Sequence, residues 1–125
     1  MNRTLALRTV VVSELTTQMP QGAKVYYQQA QDDHPTTYAV YTLSMIDNAN
    51  ETHLYEVEVN LMGYGKDTSA IEDLADKVHD AFHKKVVINE SIGVHFYADR
   101  RNAVEEEDRN ILRRRLTFSA YLYER

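Results

Sequence analysis

Hydrophobic and polar positions divide the chain into stretches of helical and of strand period. Over residues 4–19, Leu5, Val12, Leu15 and Met19 fall on one side of a helical wheel, with Leu7 and Val11 widening the stripe, which predicts a first helix. The run Val10-Val11-Val12 is β-branched and leaves a strand open there instead. Pro20 and Gly22 close the element either way. Residues 24–29 predict a short strand and Gln31-Asp32-Asp33-His34-Pro35 a polar loop. Residues 37–47 and 52–64 are two long β-type runs around the turn-rich Asn48-Ala49-Asn50-Glu51, which predicts a hairpin. In the second run Tyr55, Val57, Val59 and Leu61 alternate with Glu56, Glu58, Asn60 and Met62, so one sheet face is buried and the other mostly polar.

The clearest helix follows over residues 68–84, with Ile71, Leu74, Ala75, Val78 and Phe82 at core spacing and Ser69-x-x-Glu72 as a capping box. Residues 86–88 and 94–99 are the next extended pieces, around a turn at Gly93. The last strand spans 111–123, where Leu112, Leu116, Phe118, Ala120 and Leu122 share one face. The order α-β-β-β-α-β-β predicts a two-layer α+β domain over residues 1–125. Its mainly antiparallel sheet has about five strands, and two helices pack on its apolar face. Arg100, Arg101, Glu105, Glu106, Glu107 and Asp108 fall in a stretch without apolar period, longer than most connections, which reads as a mobile segment or an assembly arm.

Composition narrows the function classes. At 125 residues, 43% hydrophobic and 26% charged, the chain has the size and balance of one globular domain and not of a disordered, collagenous or membrane-spanning protein. With no Cys, neither a disulfide framework, a thiolate metal site nor a cysteine nucleophile is available. The net charge of -5 disfavours tight nucleic-acid binding, which draws on Lys and Arg at phosphates. The start, Met1-Asn2-Arg3-Thr4-Leu5-Ala6-Leu7-Arg8, lacks a continuous apolar run, which predicts a product made in the cytoplasm. In that compartment the Asn-x-Ser/Thr triplets at Asn2, Asn50 and Asn89 carry no meaning.

Candidate chemistry is sparse. His79-Asp80-Ala81-Phe82-His83 sets two imidazoles one helical turn apart, as in zinc hydrolases, but with Asp for Glu and no third ligand downstream. The favoured expectation is two solvated histidines beside Glu72 and Asp76, with neither metal nor other cofactor. A small metal-dependent or ligand-binding enzyme built on this helix is an alternative, as is a dimeric regulatory module. Gly63-Tyr64-Gly65-Lys66-Asp67-Thr68 joins a strand to a helix, but one residue between the glycines and Asp after Lys are not a phosphate loop. A flexible connection capped by Asp67, Thr68 or Ser69 is expected. No Gly-x-Ser-x-Gly elbow or other catalytic constellation is present.

Alternation in the last strand sends Arg113 and Arg115 to one face with Tyr121 and Tyr123, and Arg114 to the other between Leu112 and Leu116. The arginines either reach water and pair with Glu56 and Glu58 across the sheet, or form an intersubunit surface, for which Tyr and Arg are the usual enrichment.

The opening helix followed by Val25-Tyr26-Tyr27, Tyr38-Ala39-Val40-Tyr41, the run from Tyr55 to Tyr64, the amphipathic helix, and the closing Arg115-Leu116-Thr117-Phe118-Ser119-Ala120-Tyr121-Leu122-Tyr123 follow one another in a characteristic order. In this order and texture the chain resembles the tail-terminator or tail-completion proteins of long-tailed bacteriophages, the minor capsid or head-tail joining proteins. The resemblance implies a non-enzymatic virion protein that forms a hexameric ring at the head-tail interface. It implies a tail-tube protein on one side, a head-side connector protein on the other, and DNA passing through the ring.

Overall fold

The computed structural model describes residues 2–49 and 52–125, without the side chains of residues 48 and 49. The elements are α1 (Arg3–Gln18), β1 (Lys24–Tyr27), β2 (Tyr38–Ala49), β3 (Thr52–Tyr64), α2 (Ser69–Phe82), β4 (Val86–Ile88), β5 (Ile92–Val104) and β6 (Ile111–Glu124). They build the expected α+β architecture, with a six-stranded sheet in place of about five. The strand order is β1-β2-β3-β6-β5-β4. Only β1 and β2 pair in parallel; the other pairs are antiparallel. In the expected hairpin β2 extends through Ala49; Asn50 and Glu51, the rest of the expected turn, lie outside the described residues.

The first element is a helix despite its three consecutive valines. The Asn2 side chain accepts the Leu5 N–H at 2.9 Å and satisfies one of the free donors of the first turn. Its buried stripe is Leu7, Val10, Val11 and Leu15, while Leu5 is 53% exposed, so the face is rotated from the one drawn through Leu5, Val12 and Met19. Spacings of three, four and eight from Leu7 set the apolar stripe that meets the sheet and α2.

The second helix buries the five residues expected of it, Ile71, Leu74, Ala75, Val78 and Phe82. Phe82 sits between Phe96 and Phe118, with ring centroids 5.2 and 5.1 Å away. These residues, the stripe of α1 and the inner face of the sheet make the core. The expected capping box is not formed. Asp67 caps instead, accepting the Ser69 N–H at 2.9 Å, which holds its carboxyl below the usual range. Glu72 turns to guanidinium partners, with which its hydrogen bonds are charge-assisted.

Two expectations about the later strands are corrected. Gly93 lies inside β5, and the turn is at Asn89, whose side chain accepts the N–H groups of Ser91 and Ile92, both at 2.9 Å. Gly93 instead lets the Tyr123 ring lie against the backbone, for a Cβ there would stand 2.2 Å from that ring. Arg100 to Val104 are no free arm: they continue β5 and pair with β6, Arg100 opposite Thr117 and Val104 opposite Arg113. Backbone pairing needs no apolar period, which is why the pattern missed it. A bulge between Ala98 and Arg100 resets the alternation and turns Arg101 to the helix side, opposite Leu116.

Candidate assembly surface

Both helices cover one face of the sheet, so alternate residues of β3, β5 and β6 form a second, uncovered face. At one end of it His95, Tyr97, Tyr121, Tyr123 and Thr52 line a shallow depression. Tyr97 meets Tyr121 edge to face at 5.9 Å, and His95 lies 6.4 Å from Tyr123. Tyr97 is 41% and Tyr121 40% exposed, an uncharged aromatic patch with no cover in the monomer. Further along, Ser119 donates to Asp99 at 2.7 Å and Arg100 is exposed.

The other end of the face is polar, and Arg113 is held within the chain. Arg113 Nε donates to Asn60 Oδ1 at 2.8 Å and its Nη1 to Glu106 at 3.2 Å. Arg115 stands 3.9 Å from Glu58, the cross-sheet partner expected for it. Tyr38 packs with Tyr26 and His34, and burial first, then Glu106, raise its hydroxyl pKa. Arg113 and Tyr121 are eight residues apart, about 27 Å at a strand's rise, so the sequence candidates form two sites on one face.

Arg101 leaves the set altogether. It reaches α2, donating to Asp76 at 2.6 Å and to Glu72 at 3.1 Å, and the same Glu72 accepts from Arg114. The Arg114 hydrogen bond is the main cause of a Glu72 carboxyl held below its ordinary value, and Asp76 is the main cause of a raised Arg101. The sequence asked for a partner for Arg114, and the capping-box Glu72 supplies it. What hid the cluster was the bulge, which no spacing rule reveals. Glu105, Glu107 and Asp108 are exposed at the β5–β6 tip, where Asp108 accepts the Asn110 N–H and Asn110 accepts from Gly65.

His79 and His83 lie 5.2 Å apart, ring to ring. They are not a pair of free imidazoles: His83 Nδ1 accepts the Ala98 N–H at 3.0 Å, and His79 Nδ1 is 3.2 Å from Asp80. Glu72 and Asp76 are engaged by arginine, and among the described residues no three His, Asp or Glu side chains gather around a common point. A cleft of about 310 Å³ between the end of α1 and the start of α2 is mostly apolar, lined by Pro20, Met62, Ile71, Leu74 and Leu112. Asp67 at its rim already caps the helix.

No protein-family model matches the chain, and no curated protein sequence does. Among solved structures it is similar to a chain described as "Virion of native gene transfer agent (GTA) particle", at 14% identity and a TM-score of 0.66, over 87% of this chain and 84% of that one. At that identity the likeness shows a shared fold.

Proposed function

We propose that the chain is a structural subunit of a phage-like virion, and within it a tail terminator: a ring, of six copies, that caps the tail tube and meets the head-side connector. The observation that carries the reading is the likeness in fold to a virion component, which runs over nearly all of both chains. Two features support it. His83, Arg101, Arg114, Glu72 and Asp76 are engaged in internal contacts, and an aromatic patch stands uncovered on the sheet. Six copies at -5 each carry 6 × -5 = -30, a field that keeps DNA from adhering to a channel it must traverse.

Native mass spectrometry with negative-stain imaging tests the proposal. The expected result is a closed oligomer of six 14.5 kDa chains, 6 × 14.5 = 87 kDa, that adds to the ends of tail tubes. A monomer or simple dimer at every concentration, or one equivalent of zinc lost on His79→Ala, would overturn it.

A further inference from the structure

Apart from the outer sides of the short strands β1 and β4, the sheet has two open stretches of edge among the described residues. β1 pairs with β2 only as far as Tyr41, whose carbonyl accepts the Gln28 N–H at 2.9 Å. From Thr42 to Ala49 that side of β2 has no strand beside it among the described residues. On the opposite side of the sheet β4 pairs with β5 from Gly93 to His95, Phe96 bonds to Lys84 and Lys85, and His83 holds the Ala98 N–H. From Asp99 to Val104 that side of β5 is open as well.

The two open stretches complement each other. Tyr38 is level with Met62, Arg113 and Val104, and Ala49 with Thr52, Tyr123 and Gly93, so they lie at opposite ends of the sheet as well as on opposite sides. Three antiparallel steps separate β2 from β5, so the two strands run in opposite directions. Two copies in the same orientation can therefore join β5 of one to β2 of the next as an antiparallel pair. Side by side without offset, β1 of the incoming copy blocks the approach. Sliding that copy along the strands removes the block.

With Ala103 opposite Met45, the pairing runs from Val104 against Ser44 and, past the bulge at Ile46, which sets two residues of β2 against one of β5, from Asn102 against Asp47 to Arg100 against Ala49, each pair on one face of the sheet. It ends where β2 ends and stops short of both the Gln28–Tyr41 and the His83–Ala98 bonds. Ala103 is level with Ala39 of its own chain, so the slide is 45 − 39 = 6 residues, about 20 Å.

The side chains agree. Open edges are commonly blunted with Lys or Pro, whereas residues 42–49 contain neither, and Met45 and Ile46 are 45% and 58% exposed. Met45 and Ala103 both fall on the helix side of their strands, as a directly opposed pair requires. Each strand carries a bulge, at Ile46 and at Asp99, which bends the edge as a curved array needs and a flat one does not.

We infer that successive copies of this chain join head to tail by antiparallel pairing of the open edge of β5, Arg100 to Val104, with that of β2, Ser44 to Ala49, Ala103 facing Met45. The contact is heterologous, as a ring requires, and a fixed stagger of this kind is what closes a sheet on itself. The inference rests on the ring reading and names the surface that makes the ring.

The chain has no cysteine, so introduced thiols report unambiguously. Met45→Cys and Ala103→Cys chains are purified separately and oxidised alone and mixed; opposed Cα atoms of such a pair stand about 5.5 Å apart, within disulfide reach. The expected result is a covalent dimer only in the mixture, and a ladder ending at the ring's copy number when both substitutions are in one chain. Met45→Pro and Ala103→Pro chains, whose folding is checked by circular dichroism, should lose the oligomer seen for the parent. Dimers from either cysteine chain alone at the mixture's yield, or no dimer in the mixture, overturn the edge pairing. If the parent forms rings and folded proline variants do too, the edge inference falls and the ring reading stands. If the parent stays monomeric while the mixture cross-links, the ring reading falls and the edge pairing stands. Where a proline variant fails to fold, the cysteine mixture decides.

Discussion

On the helix-covered face of β6, Leu116, Phe118, Ala120 and Leu122 are at most 1% exposed, whereas Tyr121, next in sequence to both Ala120 and Leu122, is 40% exposed on the other face. One strand thus carries two chemistries by alternation alone. The covered face holds the monomer together; the uncovered one is largely dispensable to it and available for association. The faces are not perfect opposites: Thr117 is buried on the outer side, and Arg114 and Arg101 are set into the inner one. Substitutions that treat the faces separately test this division.

The largest effect is expected on the covered face. Phe82→Ala removes a ring packed between Phe96 and Phe118 and should cost about 3–5 kcal/mol, and Val78→Asp, which buries an unpaired charge, should prevent folding. Urea unfolding followed by circular dichroism measures the first and an unfolded spectrum at all temperatures reveals the second. Near-native stability in either would show that α2 does not pack as described.

A smaller effect is expected where charge enters that face. Glu72→Ala leaves the Nε of Arg114, a side chain only 14% exposed, without its acceptor and should cost about 1–3 kcal/mol. The same change should flatten the acid limb of the stability curve. The folded Glu72 carboxyl lies below its unfolded value, so its contribution is complete above the unfolded value and is lost as pH falls through the folded one. Because Glu72 is 44% exposed, that share is modest and shrinks with salt. Melting temperatures of parent and variant across acid pH should converge; parallel curves would contradict the assignment.

Smaller again is Gly93→Ala, which pushes a Cβ against the far end of the Tyr123 ring. The ring can swing outward, so about 1 kcal/mol is expected, and a Tyr123→Ser background should abolish the cost. Equal costs in both backgrounds would show that the ring does not rest on Gly93.

The comparison also explains what the sequence revealed. Periodicity found α2, β3 and the inner face of β6 because burial there is continuous and leaves an unbroken apolar stripe. It misjudged the face of α1, where Leu5 and Val12 are apolar without being buried, and it left Arg100 to Val104 as a loop because backbone hydrogen bonds leave no trace in side-chain polarity. Of the candidate surface, the alternation of Arg113, Arg115, Tyr121 and Tyr123 was legible. The partition into an aromatic end and a polar end was not, since it depends on His95 and Tyr97 arriving from β5 and Asn60 from β3. The Glu72 cluster needed a bulge to bring Arg101 round, and a bulge is one inserted residue in an otherwise regular strand.

The smallest effect on the monomer, and so the sharpest test of the division, is expected from Tyr97→Ser together with Tyr121→Ser. Both rings are about 40% exposed and meet edge to face outside the core, so their loss removes that contact and leaves no cavity in the core. Monomer unfolding should shift by no more than about 1 kcal/mol, near the range of surface substitutions. If the uncovered face contacts other subunits, the same pair should raise the midpoint concentration for assembly by far more than the change in stability accounts for, because buried tyrosines are frequent anchors at interfaces. Light scattering across a concentration series and urea melts on the same preparations read the two quantities side by side. A large loss of stability with assembly unchanged would reverse the roles given to the two faces. Assembly and stability both unchanged would restrict association to the strand edges, where Met45 and Ala103 lie.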